Sequence, residues 1–387
     1  SLALTASRAV TATFTATVPP GANVLSLSVN GTACGSGAGA YVNKPCVQVT
    51  VCLPNAPTPT CQLVDDILLD TGSYGLRVFK QVLPFSLPLA PSGTGTLAEC
   101  IQYLDGSSHW GPVATADVVL GGEPTIRVPV QVIDSTFGPA PASCPKPETS
   151  PTSAGFKGIL GVGPFAEDCG PGCASVAANG VYFRCSGGTC SGTTVPVASQ
   201  VSNPVASLPT DNNGVVVDLP PVQLGGQLTV EGSLLLGIDT QANNASAGAT
   251  AYPGDPSTGD IRTVFDGKPA VGGFLDTGSN GLFFAAPTSG SLPTCSGGSW
   301  YCPAQTTSLS ATNTGFGGSP SGTVSFSIGN ANALFGSGNG VFQELGGPMP
   351  QGAGFDFGLP FFLGQKVFVG IQGTSSTGLG AGPYYAY

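Results

Sequence analysis

Leu69-Asp70-Thr71-Gly72-Ser73-Tyr74-Gly75-Leu76 recurs as Leu275-Asp276-Thr277-Gly278-Ser279-Asn280-Gly281-Leu282, and this repeat decides how the chain is read. The copies stand 206 residues apart in a chain of 387, one in each half. Each follows a short apolar run, Ile67-Leu68-Leu69 in the first half and Gly273-Phe274-Leu275 in the second. Solenoids and propellers repeat every few tens of residues. A repeat at half the chain length instead predicts two related lobes meeting face to face. We place the division between residues 1–205, which carry Asp70, and residues 206–387, which carry Asp276, with the crossover between Val201 and Asn213.

A carboxylate at the end of a buried strand, followed by Thr-Gly-Ser, has a definite physical use. Gly72 and Gly278 let the backbone turn tightly and come close to a ligand. Thr71 and Thr277 can each hydrogen-bond to the twin loop, while Ser73 and Ser279 can donate to the outer oxygens of Asp70 and Asp276. Two such loops on a pseudo-twofold axis bring the carboxyl groups together. Like charges that close do not both ionise cheaply, so they share a proton and titrate as a coupled pair. The protonated member can serve as general acid and the ionised one as general base toward a water between them. A single Asp-Thr-Gly is an ordinary turn. Two in corresponding places, each after an apolar strand, point to a catalytic pair.

Outside the repeat, helical periodicity is scarce. Alternating or β-branched segments dominate at Val24–Val29, Cys46–Cys52, Val113–Leu120, Ile126–Ile133, Val215–Leu219, Leu228–Leu236, Thr323–Ile328 and Lys366–Ile371. Gly-Gly turns punctuate them at Gly121-Gly122, Gly225-Gly226 and Gly346-Gly347. The chain therefore reads as all-β, with helix expected near Val195–Val201 and in little else.

Composition narrows the function. Apolar residues make up 41% of the chain, enough for a large core, whereas charged residues make up only 8%. That is about a third of the usual share. The net charge is −10 and the 11 Lys and Arg form no cluster, which excludes the electrostatic footprint of a nucleic-acid binder. Twelve cysteines, an even number, suggest disulfides and an oxidising compartment, hence a secreted, periplasmic or cell-surface protein. We expect Cys52–Cys61 and Cys295–Cys302 to be bridged, because short loops between strand ends can be closed without strain. The competing reading is a zinc site from Cys169, Cys173, Cys185 and Cys190, but these spacings are looser than the usual knuckles. No signal peptide, membrane span or lipidation motif is visible.

These motifs resemble the pepsin family of bilobal aspartic peptidases, and the resemblance covers most of the chain. Gly158-Ile159-Leu160-Gly161-Val162-Gly163 resembles the hydrophobic-hydrophobic-Gly strand that completes the family's ψ-shaped loop under the first aspartate. Phe355-Asp356-Phe357-Gly358-Leu359-Pro360-Phe361-Phe362 occupies the matching place in the second half, and Val367-Phe368-Val369 is similar to the C-terminal strand. Cys100-Ile101-Gln102-Tyr103-Leu104-Asp105-Gly106-Ser107 is similar to the hairpin flap that closes over substrate, with Tyr103 where the family keeps its flap tyrosine. The resemblance implies a monomeric endopeptidase that uses water to cleave an extended peptide or protein substrate, with no metal or cofactor. Ser73 and Ser279 are expected to keep the pair anionic into acid, which implies activity below neutral pH.

The sequence also departs from the family. Leu76 is followed by Arg77, where the family has the Trp that steadies the flap tyrosine; His109 and Trp110 are the candidates to take its place. Residues 1–40 hold one basic residue, Arg8, and so lack the basic inhibitory segment of pepsin-like zymogens. The cysteine pattern and the Tyr-rich ending at Tyr387 look like a bacterial branch of the family.

Rival chemistries fare worse. A serine hydrolase needs a base, and His109 is the one histidine; no Gly-x-Ser-x-Gly elbow accompanies it. The alternative from another class is a pepsin-fold protein that binds proteins or glycans without cutting. Such proteins usually lose an aspartate or the flap residue, and this chain keeps them.

Overall fold

A computed structural model describes residues 21–35, 41–270, 272–288, 292–349 and 354–387; Arg8 lies outside them. The described chain is all-β. Its α-helices, Pro151–Ala154, Pro171–Ser175 and Ala331–Phe335, are single turns. The helix expected near Val195–Val201 is reduced to a 3-10 turn at Val197–Ser199. Pro196 is extended there, and a segment this short and rich in Val does not nucleate a helix on its own.

One sheet runs through both halves of the sequence, from Thr189–Gly192 at one end to Ala251–Pro253 at the other. Its junction is antiparallel pairing of Val24–Val29 with Val230–Leu236, in register from Val24↔Leu235 to Val29↔Val230. Val24–Val29 also pairs with Pro45–Cys52, so the first strand stitches the halves together. The division at residues 205 and 206 falls within the 3-10 turn Pro204–Ser207, and the next strand is Gly214–Asp218.

The two motifs sit in matching frames. In the first half, Cys61–Asp70 runs parallel to Gly158–Val162, which in turn is antiparallel to Tyr74–Phe79. In the second, Gly273–Leu275 runs parallel to Phe355–Phe357, which is antiparallel to Leu282–Phe284. The registers correspond: Leu160 lies opposite both Leu69 and Leu76, and Phe357 opposite both Leu275 and Leu282. Each Asp-Thr-Gly-Ser loop thus bridges two strands that share a central partner. Strands covered on both faces need continuous apolar runs, and Leu69, Leu76, Leu160, Leu275 and Phe357 are fully buried. Beneath the second loop the core is aromatic, with Phe355 stacked on Phe357 and Phe284.

All twelve cysteines are paired: Cys34–Cys46, Cys52–Cys61, Cys100–Cys144, Cys169–Cys173, Cys185–Cys190 and Cys295–Cys302. Both expected bridges are among them. The four cysteines weighed as zinc ligands form two separate disulfides and are not free thiolates. Six disulfides mark an oxidising, extracellular-type compartment. No described helix is long and apolar enough to cross a membrane.

Candidate active site

The paired frames bring the two motifs into contact. Thr71 Oγ1 donates to the carbonyl of Leu275 at 2.7 Å, and Thr277 Oγ1 donates to that of Leu69 at 2.7 Å. Each hydroxyl also accepts the backbone N–H of the other threonine, at 3.1 Å from Thr71 and 3.0 Å from Thr277. Both threonines are fully buried. Four reciprocal bonds therefore fix one loop against the other, each hydroxyl used once as donor and once as acceptor.

Asp70 and Asp276 meet above this lock. A Cβ on Gly72 would come within 2.6 Å of Asp276 Cγ, and one on Gly278 within 2.8 Å of Asp70 Oδ1. No residue but glycine fits at either position. Each carboxylate is held the same way. Gly72 N donates to Asp70 Oδ1 at 2.8 Å, and Gly278 N to Asp276 Oδ1 at 2.7 Å. Ser73 Oγ donates to Asp70 Oδ2 at 2.5 Å, and Ser279 Oγ to Asp276 Oδ2 at 2.9 Å.

Burial and like charge act on the pair in the opposite sense to its serine donors. Burial first, then the negative charges of Asp70 and Asp356, hold the Asp276 carboxyl well above the usual range, and the Ser279 bond only partly offsets this. Desolvation and like charge outweigh one hydroxyl donor, so the pair retains a proton. Asp70 is buried, whereas Asp276 keeps a partly open edge toward solvent.

The hairpin of Gly95–Gln102 and Ser108–Val119 carries Tyr103, Leu104, Asp105 and Gly106 at its tip. Tyr103 N–H donates to Ser107 O and Gly106 N–H to Tyr103 O, closing the turn, while Asp105 Oδ1 accepts from Ser107 N. Leu104 is 77% exposed, an apolar side chain presented at the tip. The Cys100–Cys144 bridge ties the hairpin down three residues before Tyr103, close to its tip.

The partner of Tyr103 is His109, its hydroxyl lying 3.1 Å from Nδ1 with the rings edge to face. Trp110, one residue on, points to the opposite face of the strand and donates from Nε1 to Phe137 O. His109 is buried against Phe79 and Phe156. Burial, helped by the charge of Arg77, pushes its imidazole down to about 3, so it is neutral over most of the pH range.

Arg77, which stands where the family has its Trp, is committed to an ion-pair cluster. Its fully buried guanidinium bonds Glu99 and Asp168, both at 2.9 Å, and Tyr182 donates to the other oxygen of Asp168 at 2.7 Å. Burial works against the charge, but the two carboxylates raise the Arg77 guanidinium above its ordinary value.

Two neighbours of the site escaped the sequence reading. Burial first, then the charges of Asp66, Asp70, Asp105 and Asp276, raise the Tyr41 phenol above its ordinary value. Its backbone stretch is docked on the second motif, where Asn43 donates to Asn280 O at 2.8 Å and Asn280 to Val42 O at 3.3 Å. No local pattern announces this contact. Asp356 lies beside the dyad, and its signal was visible as a lone carboxylate inside an aromatic run. A separate groove lined by Phe265, Ser308, Leu309, Ser325 and Phe326 shares no residue with either motif.

No curated protein matches the chain. The family described as "Protein of unknown function (DUF3443)" matches residues 19–387, and the chain belongs to that family.

Proposed function

We propose that the protein is a secreted aspartic endopeptidase of pepsin-like, two-lobed architecture, acting through Asp70 and Asp276. The observation that carries this reading is the reciprocal lock: two strand-end carboxylates, tied alike to glycine N–H and serine hydroxyl, held together by threonines from opposite halves.

With the shared proton on Asp276, Asp70 accepts a proton from a water between the carboxyls. The water oxygen attacks the scissile carbonyl carbon while Asp276 gives its proton to the carbonyl oxygen. The resulting tetrahedral diol collapses as the C–N bond breaks, and the nitrogen leaves with a proton returned from the pair. An extended peptide is expected to lie along Gly72, Gly278 and Ser279 as an added strand, covered by the hairpin from Tyr103 to Gly106. Leu104 would meet apolar side chains next to the cut.

The test is cleavage of a denatured protein mixture from pH 3 to 8 by the wild type, Asp70→Asn and Asp276→Asn. Acid-side cleavage lost in both variants supports the proposal. A folded wild type that cuts nothing at any pH rejects it in favour of a binding protein.

A further inference from the structure

The bond between Tyr103 and His109 joins two groups that can each give or take a proton, and its direction decides what the hairpin tip offers to a ligand. The Tyr103 hydroxyl lies 3.1 Å from His109 Nδ1 and has no other hydrogen-bond partner among the described residues. The other ring nitrogen, Nε2, is buried with no partner. His109 is 1% exposed, and its ring stands edge to face against Phe79 at 5.9 Å and Phe156 at 5.8 Å. An imidazolium here would be a buried charge with no carboxylate bonded to it, under the like charge of Arg77. The ring is therefore neutral, with one N–H and one bare nitrogen.

Two arrangements are open. With the proton on Nδ1, the ring donates to the phenol oxygen. The bare Nε2 then faces hydrocarbon, and the Tyr103 O–H is left without an acceptor in the protein. With the proton on Nε2, the phenol donates to Nδ1. The remaining N–H then lies among the rings of Phe79 and Phe156, where a ring face is a weak acceptor. The first arrangement leaves two groups unpaired and the second leaves one. Acidity points the same way. A phenol gives up its proton at about pH 10 and an imidazole nitrogen takes one at about pH 6.5, whereas a phenol oxygen is hardly basic at all. O–H to N matches the better acid with the better base.

We propose that His109 is a positioning residue: its Nδ1 takes the Tyr103 hydroxyl proton, and the phenol oxygen is left to meet a ligand with lone pairs only. An indole in the place of His109 would donate and set the opposite polarity. Trp110, next in the chain, bonds Phe137 O instead. A ligand group that faces the Tyr103 oxygen must therefore donate, and on an extended peptide the backbone N–H is that donor. This consequence rests on the peptidase reading; the direction of the bond does not.

The bond direction can be read directly, because His109 is the one histidine in the chain. The test is a long-range correlation spectrum between nitrogen-15 and carbon-bound protons of the full chain at pH 7, beside casein cleavage. Nε2 couples to both carbon-bound ring protons and Nδ1 to one, which tells them apart. A bare ring nitrogen resonates far downfield of a protonated one. Nδ1 should appear bare and Nε2 protonated, and Tyr103→Phe should move the Nδ1 signal further downfield as its donor is lost. A protonated Nδ1, or an Nδ1 signal unmoved in Tyr103→Phe, overturns the inference. In the cleavage assay His109→Leu should lose about tenfold in kcat/KM, the worth of one hydrogen bond. Tyr103→Phe should lose as much, and the double variant no more. His109→Asn, whose Oδ1 can stand in for Nδ1 as acceptor, should recover most of the activity. An asparagine variant as poor as the leucine variant overturns the positioning role. The expected nitrogen signals in a folded chain that cuts nothing leave the bond direction standing and sink the peptidase reading.

Discussion

Thr277→Val removes one oxygen from the lock between the halves and little else, since valine keeps the shape. In the wild type that oxygen donates to Leu69 O at 2.7 Å and accepts from Thr71 N at 3.1 Å, with both threonines fully buried. The variant leaves the Thr71 N–H without an acceptor in a dry site, which costs about 1–3 kcal/mol, and forfeits the bond to Leu69, about 0.5–1.5 kcal/mol net. We predict a total loss of about 1.5–4.5 kcal/mol. At about 2.1 cal/mol/K of unfolding entropy per residue, this lowers the midpoint of a 387-residue chain by about 2–5.5 °C. Thr277→Ser retains the hydroxyl and should recover most of the loss. The assay is urea and thermal unfolding of the three proteins side by side. A Thr277→Val midpoint equal to that of the wild type, or a Thr277→Ser midpoint as low as that of the valine variant, refutes the reasoning.

Three further predictions concern the surroundings of the site. Arg77→Met strands Glu99 and Asp168 in the core and should cost about 3–5 kcal/mol in urea unfolding, much of it regained when both acids are also changed to amides. His109 is held down to about 3 in the folded chain, so its contribution to stability is full above its ordinary value near 6.5 and is lost as pH falls toward 3. His109→Gln lacks this slope, and thermal unfolding at pH 4, 5.5 and 7 should show its deficit shrinking as pH falls. Replacing Cys100 and Cys144 by Ala opens the widest loop of the six bridges, 44 residues in separation, and should cost about 4 kcal/mol in unfolding experiments.

The parts of the fold legible from sequence were those written locally. Val24–Val29 and Ile126–Ile133 are strands with the bounds their β-branched runs suggested. Asp70 and Asp276 could be paired across 206 residues because the Leu-Asp-Thr-Gly-Ser run is repeated whole, and a repeat carries long-range information that a single motif does not. Cys52–Cys61 and Cys295–Cys302 were readable for the same reason of locality. Cys100–Cys144 was not, because its geometry depends on where a distant loop returns to the hairpin. Arg77 shows the limit most clearly. It sits in a strand beside buried leucines, and its partner Asp168 lies 91 residues on, so nothing nearby distinguished a buried ion pair from a defect in the flap. The shared proton was legible from the repeat, but the closeness of Asp356 to Asp276 was not, because it depends on how the strands pair.

The central claim is that Asp70 and Asp276 work as one unit around a shared proton. Its most direct test is kcat/KM at acid pH for Asp70→Asn, Asp276→Asn and the double variant, each checked for wild-type unfolding. Groups that act together lose activity together, so each single change should cost a thousandfold or more, on the order of that seen when one member of a catalytic unit is removed, and the double variant should lose no more than either. Losses that multiply in the double variant, or a single variant that keeps wild-type cleavage, would contradict the account.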